Sequence, residues 1–289
     1  MRARKQYELD LPSRSLVLGA RTLVMGVLNT TPDSFFEASR RPRCQDAISR
    51  GLELEQEGAD ILDVGGESTR PPFERLLPVG EEIRRVVPVI EALRKRLRIP
   101  ISIDTFKAEV ARAAIAAGAE IVNDIGGLRF DRELPKVVAS ERVAVVLMHS
   151  RGRPEQMHRM PRVQGVLRAV VESLKRSIAR AVSAGISRNQ IIVDPGIGFS
   201  KTAEDNLLLL RRLEVFRSLD LPILVGASRK SFLGRILNLP VERRLAGSLA
   251  CCAVAIMAGA HIVRVHDVEE TRQIALLCDA VRGAGLRER

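Results

Sequence analysis

The sequence predicts a single (β/α)8 barrel over residues 1–289, opened by a short N-terminal hairpin. Three observations lead there. Short, β-branched, apolar runs alternate with helix-patterned segments eight times without interruption. The runs are apolar on both faces, as parallel strands covered by helices should be. Eight such units over about 250 residues match the span of a closed α/β barrel. A doubly wound open sheet is the competing architecture, and eight full alternations favour closure. No linker, low-complexity tract or shift in composition marks a second domain.

The hairpin is expected from Leu9, Leu11, Leu16 and Val17 around Pro12-Ser13-Arg14, so residues 1–22 form the hairpin and the entry to the barrel. Leu23–Leu28 is the first core strand, ending in Asn29, and a loop carries Asp33 and Phe35. Ile48, Leu52 and Glu55 recur at helical spacing, predicting a helix from Ala47 to a glycine stop at Gly58. Ile61–Val64 is the next strand; a long loop runs from Gly65 to Val79, and Glu81–Leu97 is helical. Ile101–Ile103 ends in Asp104 before a helix over Lys107–Ala117, and Glu120–Val122 ends in Asn123 before one near Glu133–Ser140. Val143–Met148 ends in His149, and a long amphipathic helix spans roughly Val163–Ala184. Ile191–Val193 ends in Asp194-Pro195-Gly196, where proline stops the ladder and glycine allows a sharp turn. Helix Ala203–Arg217 follows, with Leu207, Leu210 and Leu213 on one face. Pro222–Val225 ends in Gly226, and helices Phe232–Leu237 and Val241–Ala258 come next. Ile262–Val265 ends in His266, and helix Val268–Arg282 closes the chain.

Composition narrows the function classes. Hydrophobic content of 46% supports a full core. The formal charge of +11 could suit nucleic acid, but there is no Trp, one Tyr and 3% aromatics, so stacking platforms for bases are scarce. One anionic small substrate in a focused site accounts for the charge as well. Cys44, Cys251, Cys252 and Cys278 show no CxxC or Cys/His metal spacing, which predicts free thiols in a reducing cytosol. Residues 1–11 lack the apolar core of a signal peptide, and no run approaches the ~20 apolar residues of a membrane span.

In a barrel the C-terminal strand ends share one face, where active sites sit. Asn29, Asp104, Asn123, His149, Asp194, Lys230, Arg264 and His266 should therefore converge. The set contains no Ser/His/Asp order, no activated Cys and no trio of His, which argues against covalent hydrolysis and zinc chemistry. Asp194, held at a strand mouth, suits paired N–H donors such as an aminopyrimidinone edge; it reads equally as a turn-forming Asp before proline. Asn29, Asp33 and Asp104 are hard oxygen donors of the kind that hold Mg²⁺ bridged to phosphate, while Asp33 also fits an Asx turn. Arg264 and His266 alternate with Val263 and Val265, so both face the barrel interior and call for an anion. That anion is a bound phosphate, or else Arg264 pairs structurally with Asp267. Ser228-Arg229-Lys230-Ser231 before a helix offers N–H groups to an anion, with Ser231 also a candidate N-cap.

The motifs Met25–Phe35, Gly58–Pro71, Ile103–Lys107, Val122–Gly126, Asp194–Phe199, Gly226–Phe232 and Arg264–Val268, in that order, resemble the dihydropteroate synthase family of pterin-binding barrels. The resemblance covers the chain from about residue 8 to 282, and together the motifs are specific where a lone Asp-Pro-Gly is not. The resemblance implies condensation of a dihydropterin methyl diphosphate with p-aminobenzoate, assisted by Mg²⁺. It implies that Asp104, Asn123, Asp194 and Lys230 hold the pterin, with Gly226 beneath the ring and Met148 nearby. Arg264 would stack on the ring and bind diphosphate together with Asn29 and His266. Phe35, Thr69, Arg70, Phe199 and Ser231 would form the aminobenzoate side. Asn29, Asp33, Phe35, Asp104, Lys230, Arg264 and His266 would carry the chemistry, an SN1-like diphosphate departure. A homodimer through helices of the last third is also implied, with Ala246–Ala258 as a candidate face. Departures from the family pattern are Phe36-Glu37-Ala38-Ser39 after Phe35, Met148-His149-Ser150, and Ser200-Lys201-Thr202. A pterin-binding methyltransferase module would share the barrel, but would not need the Asn29–Phe35 or Ser228–Ser231 motifs. A pterin-binding scaffold without turnover would be expected to lack Asn29, Lys230 or Arg264.

Overall fold

The computed structural model describes residues 3–30, 40–67, 76–153, 155–157, 160 and 164–283, the side chains of residues 40–43 excepted. Strands β1 (Tyr7–Asp10) and β2 (Ser15–Leu18) form an antiparallel hairpin. The barrel strands are β3 (Leu23–Asn29), β4 (Ile61–Gly65), β5 (Ile101–Asp104), β6 (Ile121–Asp124), β7 (Ala144–Met148), β8 (Ile191–Asp194), β9 (Leu224–Val225) and β10 (Ile262–Val265). They pair in parallel in the order β8-β7-β6-β5-β4-β3-β10-β9. A parallel bridge from Val193 to Ile223 closes the ring, with the Val193 N–H donating to the Pro222 carbonyl at 3.0 Å. The closed barrel, rather than an open doubly wound sheet, is therefore the architecture.

The helices are α1 (Arg40–Gln56), α2 (Val79–Arg94), α3 (Ala108–Ala117), α4 (Leu134–Glu141), α5 (Val166–Ser183), α6 (Ala203–Arg211), α7 (Ser231–Leu237), α8 (Leu245–Ala258) and α9 (Val268–Gly283). The expected glycine stop after α1 is present: Gly58 has φ +101°, a conformation other residues rarely adopt. Helix α6 is shorter than its pattern predicts. It starts at a reciprocal cap, Thr202 with Asp205, and after Arg211 the chain tightens into a 3-10 turn over Leu213–Leu219. The buried stripe runs through Asn206, Leu209, Leu210 and Leu213 at i, i+3, i+4 and i+7, which leaves Leu207 one position off it and 48% exposed. The expected helix from Val241 divides likewise, into a 3-10 turn over Val241–Arg243 and α8.

Strand alternation sorts the core into three zones. Outward residues such as Leu62, Val64, Ile103, Val145, Val193 and Val263 pack beneath the helices. Inward residues near the strand starts, including Met25, Ile61, Ile121, Val146, Ile192 and Ile262, cluster with Leu9, Leu11 and Leu18 of the hairpin. The hairpin thus plugs the N-terminal end of the barrel with leucine. One layer further up, the inward positions turn polar: Asp63, Ser102, Asp104, Asn123, Asp194 and Arg264. The strands are therefore apolar on both faces only in their lower half.

Candidate active site

The polar layer is knitted across strands. Arg264 on β10 donates from Nε to Asp63 Oδ2 on β4 at 2.6 Å, and from a terminal nitrogen to Asp104 Oδ2 on β5 at 2.7 Å. Both carboxylates raise the guanidinium pKa although burial works against its charge, so Arg264 is a permanent cation. The pairing departs from the structural alternative read from sequence, since Asp267 pairs with Arg229 at 2.6 Å instead. Burial pushes the Asp104 carboxyl up, to about 7, and Arg264 opposes the shift. Asn123 on β6, almost fully buried, donates from Nδ2 to Asp63 Oδ2 at 2.9 Å.

Asp194 makes the turn-forming bond and still stands at the strand mouth. Its Oδ1 accepts from the Gly196 N–H at 2.7 Å, the turn-forming bond, while the carboxylate stays at the β8 mouth. Burial raises its pKa and Lys230 pulls the other way. The following loop is pinned by Lys201, whose ammonium donates to the carbonyls of Gly196 at 2.7 Å, Phe199 at 2.9 Å and His149 at 3.3 Å. Burial lowers the Lys201 pKa to about 7. Gly196 has φ +69°, and a Cβ there would collide with the His149 carbonyl, so no other residue fits. Asn206 holds the Gly198 N–H at 2.7 Å. Lys230 reaches over this loop, bonding to the Ile197 carbonyl with its ammonium 4.3 Å from the Phe199 ring centroid.

The apolar wall beside these groups consists of Phe106, Ile125, Met148 and Met157, with Phe199 packed against them. Met148 and Phe199 thus lie in one cluster at the barrel mouth. Gly226, at the end of β9, faces Arg264: a Cβ there would lie 3.6 Å from the Arg264 Cβ. His266 is oriented by Ser228, whose hydroxyl lies 3.0 Å from Nδ1. Ser228 is itself buried, and the adjacent Arg229–Asp267 pair ties its loop to the start of α9. His149 has a buried imidazole driven down to about 2 by burial, so it is neutral and belongs to the packing. Ser231 is not an N-cap: Lys230 occupies that position and Ser231 is the first, exposed residue of α7.

Asn29 at the end of β3 pairs in register with Gly65, which pairs in turn with Asp104. The missing side chain of Gly65 leaves Asn29 Oδ1 and Asp104 Oδ2 facing one space, each 3.8 Å from where a Cβ would stand. These are hard oxygen donors, suited to Mg²⁺ completed by phosphate oxygens and water. Among the described residues no group of three His, Cys, Asp or Glu could hold a metal unaided. Asp33, Phe35, Thr69 and Arg70 lie outside the described residues. The described candidates Asn29, Asp104, Asn123, Met148, Asp194, Phe199, Gly226, Lys230, Arg264 and His266 stand at strand ends or in the loops that follow them on the C-terminal face, and Ser231 opens α7 directly after such a loop. Sequence reasoning missed Asp63. Its signal was a carboxylate at an inward position of an otherwise apolar strand, where an unpaired charge is prohibitively costly.

Known proteins share the fold and much of the sequence. The pterin binding enzyme family matches residues 25–266. The dihydropteroate synthase of Synechocystis sp. is 47% identical over 264 residues, covering 91% of each chain. A solved structure of the Xanthomonas albilineans dihydropteroate synthase with 4-aminobenzoic acid superposes with TM-score 0.90 at 42% identity, over 96% of this chain and 99% of that one. Another from the same organism, in complex with 7,8-dihydropteroate, gives 0.86 at 41% identity, over 96% and 99%. A barrel mouth with this polar layer, matched over nearly its whole length at such identity, places the chain in the dihydropteroate synthase family, the pterin-binding transferases of folate biosynthesis.

Proposed function

We propose that the barrel mouth condenses 6-hydroxymethyl-7,8-dihydropterin diphosphate with p-aminobenzoate, releasing diphosphate. The observation that carries this reading is the side-by-side placement of buried acceptors, Asp194 and Asn123, with the cations Lys230 and Arg264. The acceptors take N–H groups of the pterin edge, and Lys230 donates to a ring acceptor. Arg264, held flat between two carboxylates, stacks against the ring and faces the diphosphate together with His266. Negative charge grows on the diphosphate as it leaves, and groups already fixed in place stabilise it without reorganising. The pterin delocalises the positive charge left at its methylene carbon, so departure runs ahead of attack. The aniline nitrogen of p-aminobenzoate then attacks from the side lined by Phe199, and the acidic anilinium so formed loses its proton to solvent or to the departing diphosphate. No general base is required, in keeping with the absence of a His/carboxylate dyad among the described residues of the mouth.

Asn29 and Asp104, with Asp33, would hold Mg²⁺. When bound, the ion supplies further neutralisation of the diphosphate. Dimerisation fits the apolar side chains left exposed on the last helices, Val254 on α8 and Leu276, Leu277 and Val281 on α9. No helix among the described residues is long and apolar enough to cross a membrane. The free thiols suit a reducing, cytoplasmic setting.

The test is direct. Purified protein is mixed with the dihydropterin diphosphate, labelled p-aminobenzoate and Mg²⁺, and labelled dihydropteroate is sought. Product should form and should fall sharply when a chelator is added. No product above the protein-free control would sink the reading; product unaffected by chelation would sink the metal role alone.

A further inference from the structure

Asp63 is the most deeply buried charge in the polar layer, with no exposed surface, and it lies below the residues that can touch a ligand. Its bonding is concentrated on one atom. Oδ2 accepts from Arg264 Nε at 2.6 Å and from Asn123 Nδ2 at 2.9 Å. Oδ1 takes no hydrogen bond from any described group. One oxygen thus joins two side chains that β6 and β10 deliver to the pocket from distant parts of the chain.

The consequence for Asn123 is chemical. An amide has a donor end and an acceptor end, and a carboxylate can only accept. Asp63 therefore draws the NH2 end of Asn123 downward, which turns Oδ1 toward the pocket. Without that anchor the amide could rotate and present either end, and a donor aimed at a ligand N–H would repel it. Arg264 is affected in a different way: gripping Nε as well as a terminal nitrogen fixes the plane of the guanidinium, which a single contact to Asp104 would leave free to swing.

We propose that Asp63 is a positioning residue that sets the hydrogen-bonding sense of the pterin pocket, holding Asn123 as an acceptor and Arg264 in one plane. The inference rests on the pterin reading of this site. It assigns the selection of an N–H-bearing heterocycle partly to a residue that never touches it.

The probe is 6-hydroxymethylpterin, titrated calorimetrically into wild type, Asp63→Ala, Asp63→Asn, Asn123→Ala and the Asp63→Ala/Asn123→Ala double variant. Asp63→Ala should weaken binding about 30-fold, the scale of a lost charge-assisted contact. In the Asn123→Ala background the same change should cost clearly less, because the amide it orients is gone. Asp63→Asn should restore binding to within about threefold of wild type, since its oxygen can occupy the Oδ2 position and accept both bonds. Equal losses from Asp63→Ala in both backgrounds would mean general loosening of the barrel and would overturn the proposal. So would an Asp63→Asn defect as large as that of Asp63→Ala, and this comparison stands on Asp63→Asn against wild type even if the alanine variant does not fold. Failure of wild type itself to bind the pterin would instead overturn the function assigned above.

Discussion

Asp194 and Asp104 show how burial and partners assign different work to two carboxylates in one pocket. Asp194 spends Oδ1 on the Gly196 N–H at 2.7 Å, which fixes its direction at the β8 mouth. Asp194→Asn should fold normally and lose about 2 kcal/mol or more of pterin affinity, the value of a hydrogen bond to a charged group. Calorimetry with 6-hydroxymethylpterin reads this, and unchanged affinity would refute the role. Asp104 titrates, with its carboxyl raised by burial to about 7. Its folded pKa lies above the unfolded value near 4, so the folded protein keeps a proton that the unfolded chain has lost. Stability should therefore fall as pH rises between about 4 and 7, by up to about 1.4 kcal/mol per pH unit from this group. Asp124 and Asp194, also raised by burial, add to the slope in every variant. Asp104→Asn should flatten the dependence measured by urea unfolding from pH 5 to pH 8. An identical slope in variant and wild type would show that Asp104 is ionised throughout.

At the scale of elements, the ends of strands and helices are joined by buried polar contacts rather than by apolar packing alone. Lys107, just before α3, bonds to Glu67 after β4 at 2.9 Å, to Glu82 on α2 at 2.6 Å and to the Leu77 carbonyl at 2.7 Å. Glu82 is 1% exposed and its pKa is raised by burial, with Lys107 opposing. Lys107→Met removes the cation and leaves two buried carboxylates facing each other. It should cost about 3 kcal/mol of stability, as breaking a buried pair from one side does. A urea-denaturation loss well below 1 kcal/mol would mean that the carboxylates find other partners. Strand β10 carries a similar liability. His266→Ala should weaken diphosphate binding more than p-aminobenzoate binding, because its imidazole is aimed by Ser228 on the β9–α7 loop. Equal losses for the two ligands in parallel titrations would mean that His266 serves only the fold.

The whole barrel separates stability from chemistry along its axis. The hairpin leucines Leu9 and Leu18, 1% and 0% exposed, seal the N-terminal end, while every described site residue lies at the C-terminal end. Leu9→Ala or Leu18→Ala should destabilise by about 2–5 kcal/mol, the range for emptying a well-packed leucine site. KM for both substrates should stay within about twofold, since neither end shares a wall with the other. A large rise in KM at a temperature where the variant is fully folded would show coupling along the barrel.

The amino-acid sequence by itself determined the alternation and the strand-end positions of Asn29, Asp104, Asn123, Asp194, Arg264 and His266, and it favoured closure over an open sheet. Those follow from local periodicity and from proline and glycine stops, which act over a few residues whatever the rest of the chain does. It also carried the inward direction of Arg264, through alternation with Val263 and Val265. It did not reveal what Arg264 bonds to. Asp63 lies 201 residues away, and the one protein partner weighed beside a bound phosphate was Asp267, only three residues along the chain. Local sequence likewise left Ser231 open as a cap and put Leu207 on the buried face, because the run of four leucines from Leu207 to Leu210 fits more than one helical stripe, and the polar Asn206 gave no sign of being on the buried one. Only the tertiary structure decided these points. Closing the ring brings β4, β5, β6 and β10 to one polar layer, and there a buried charge must take whichever opposite charge the geometry offers.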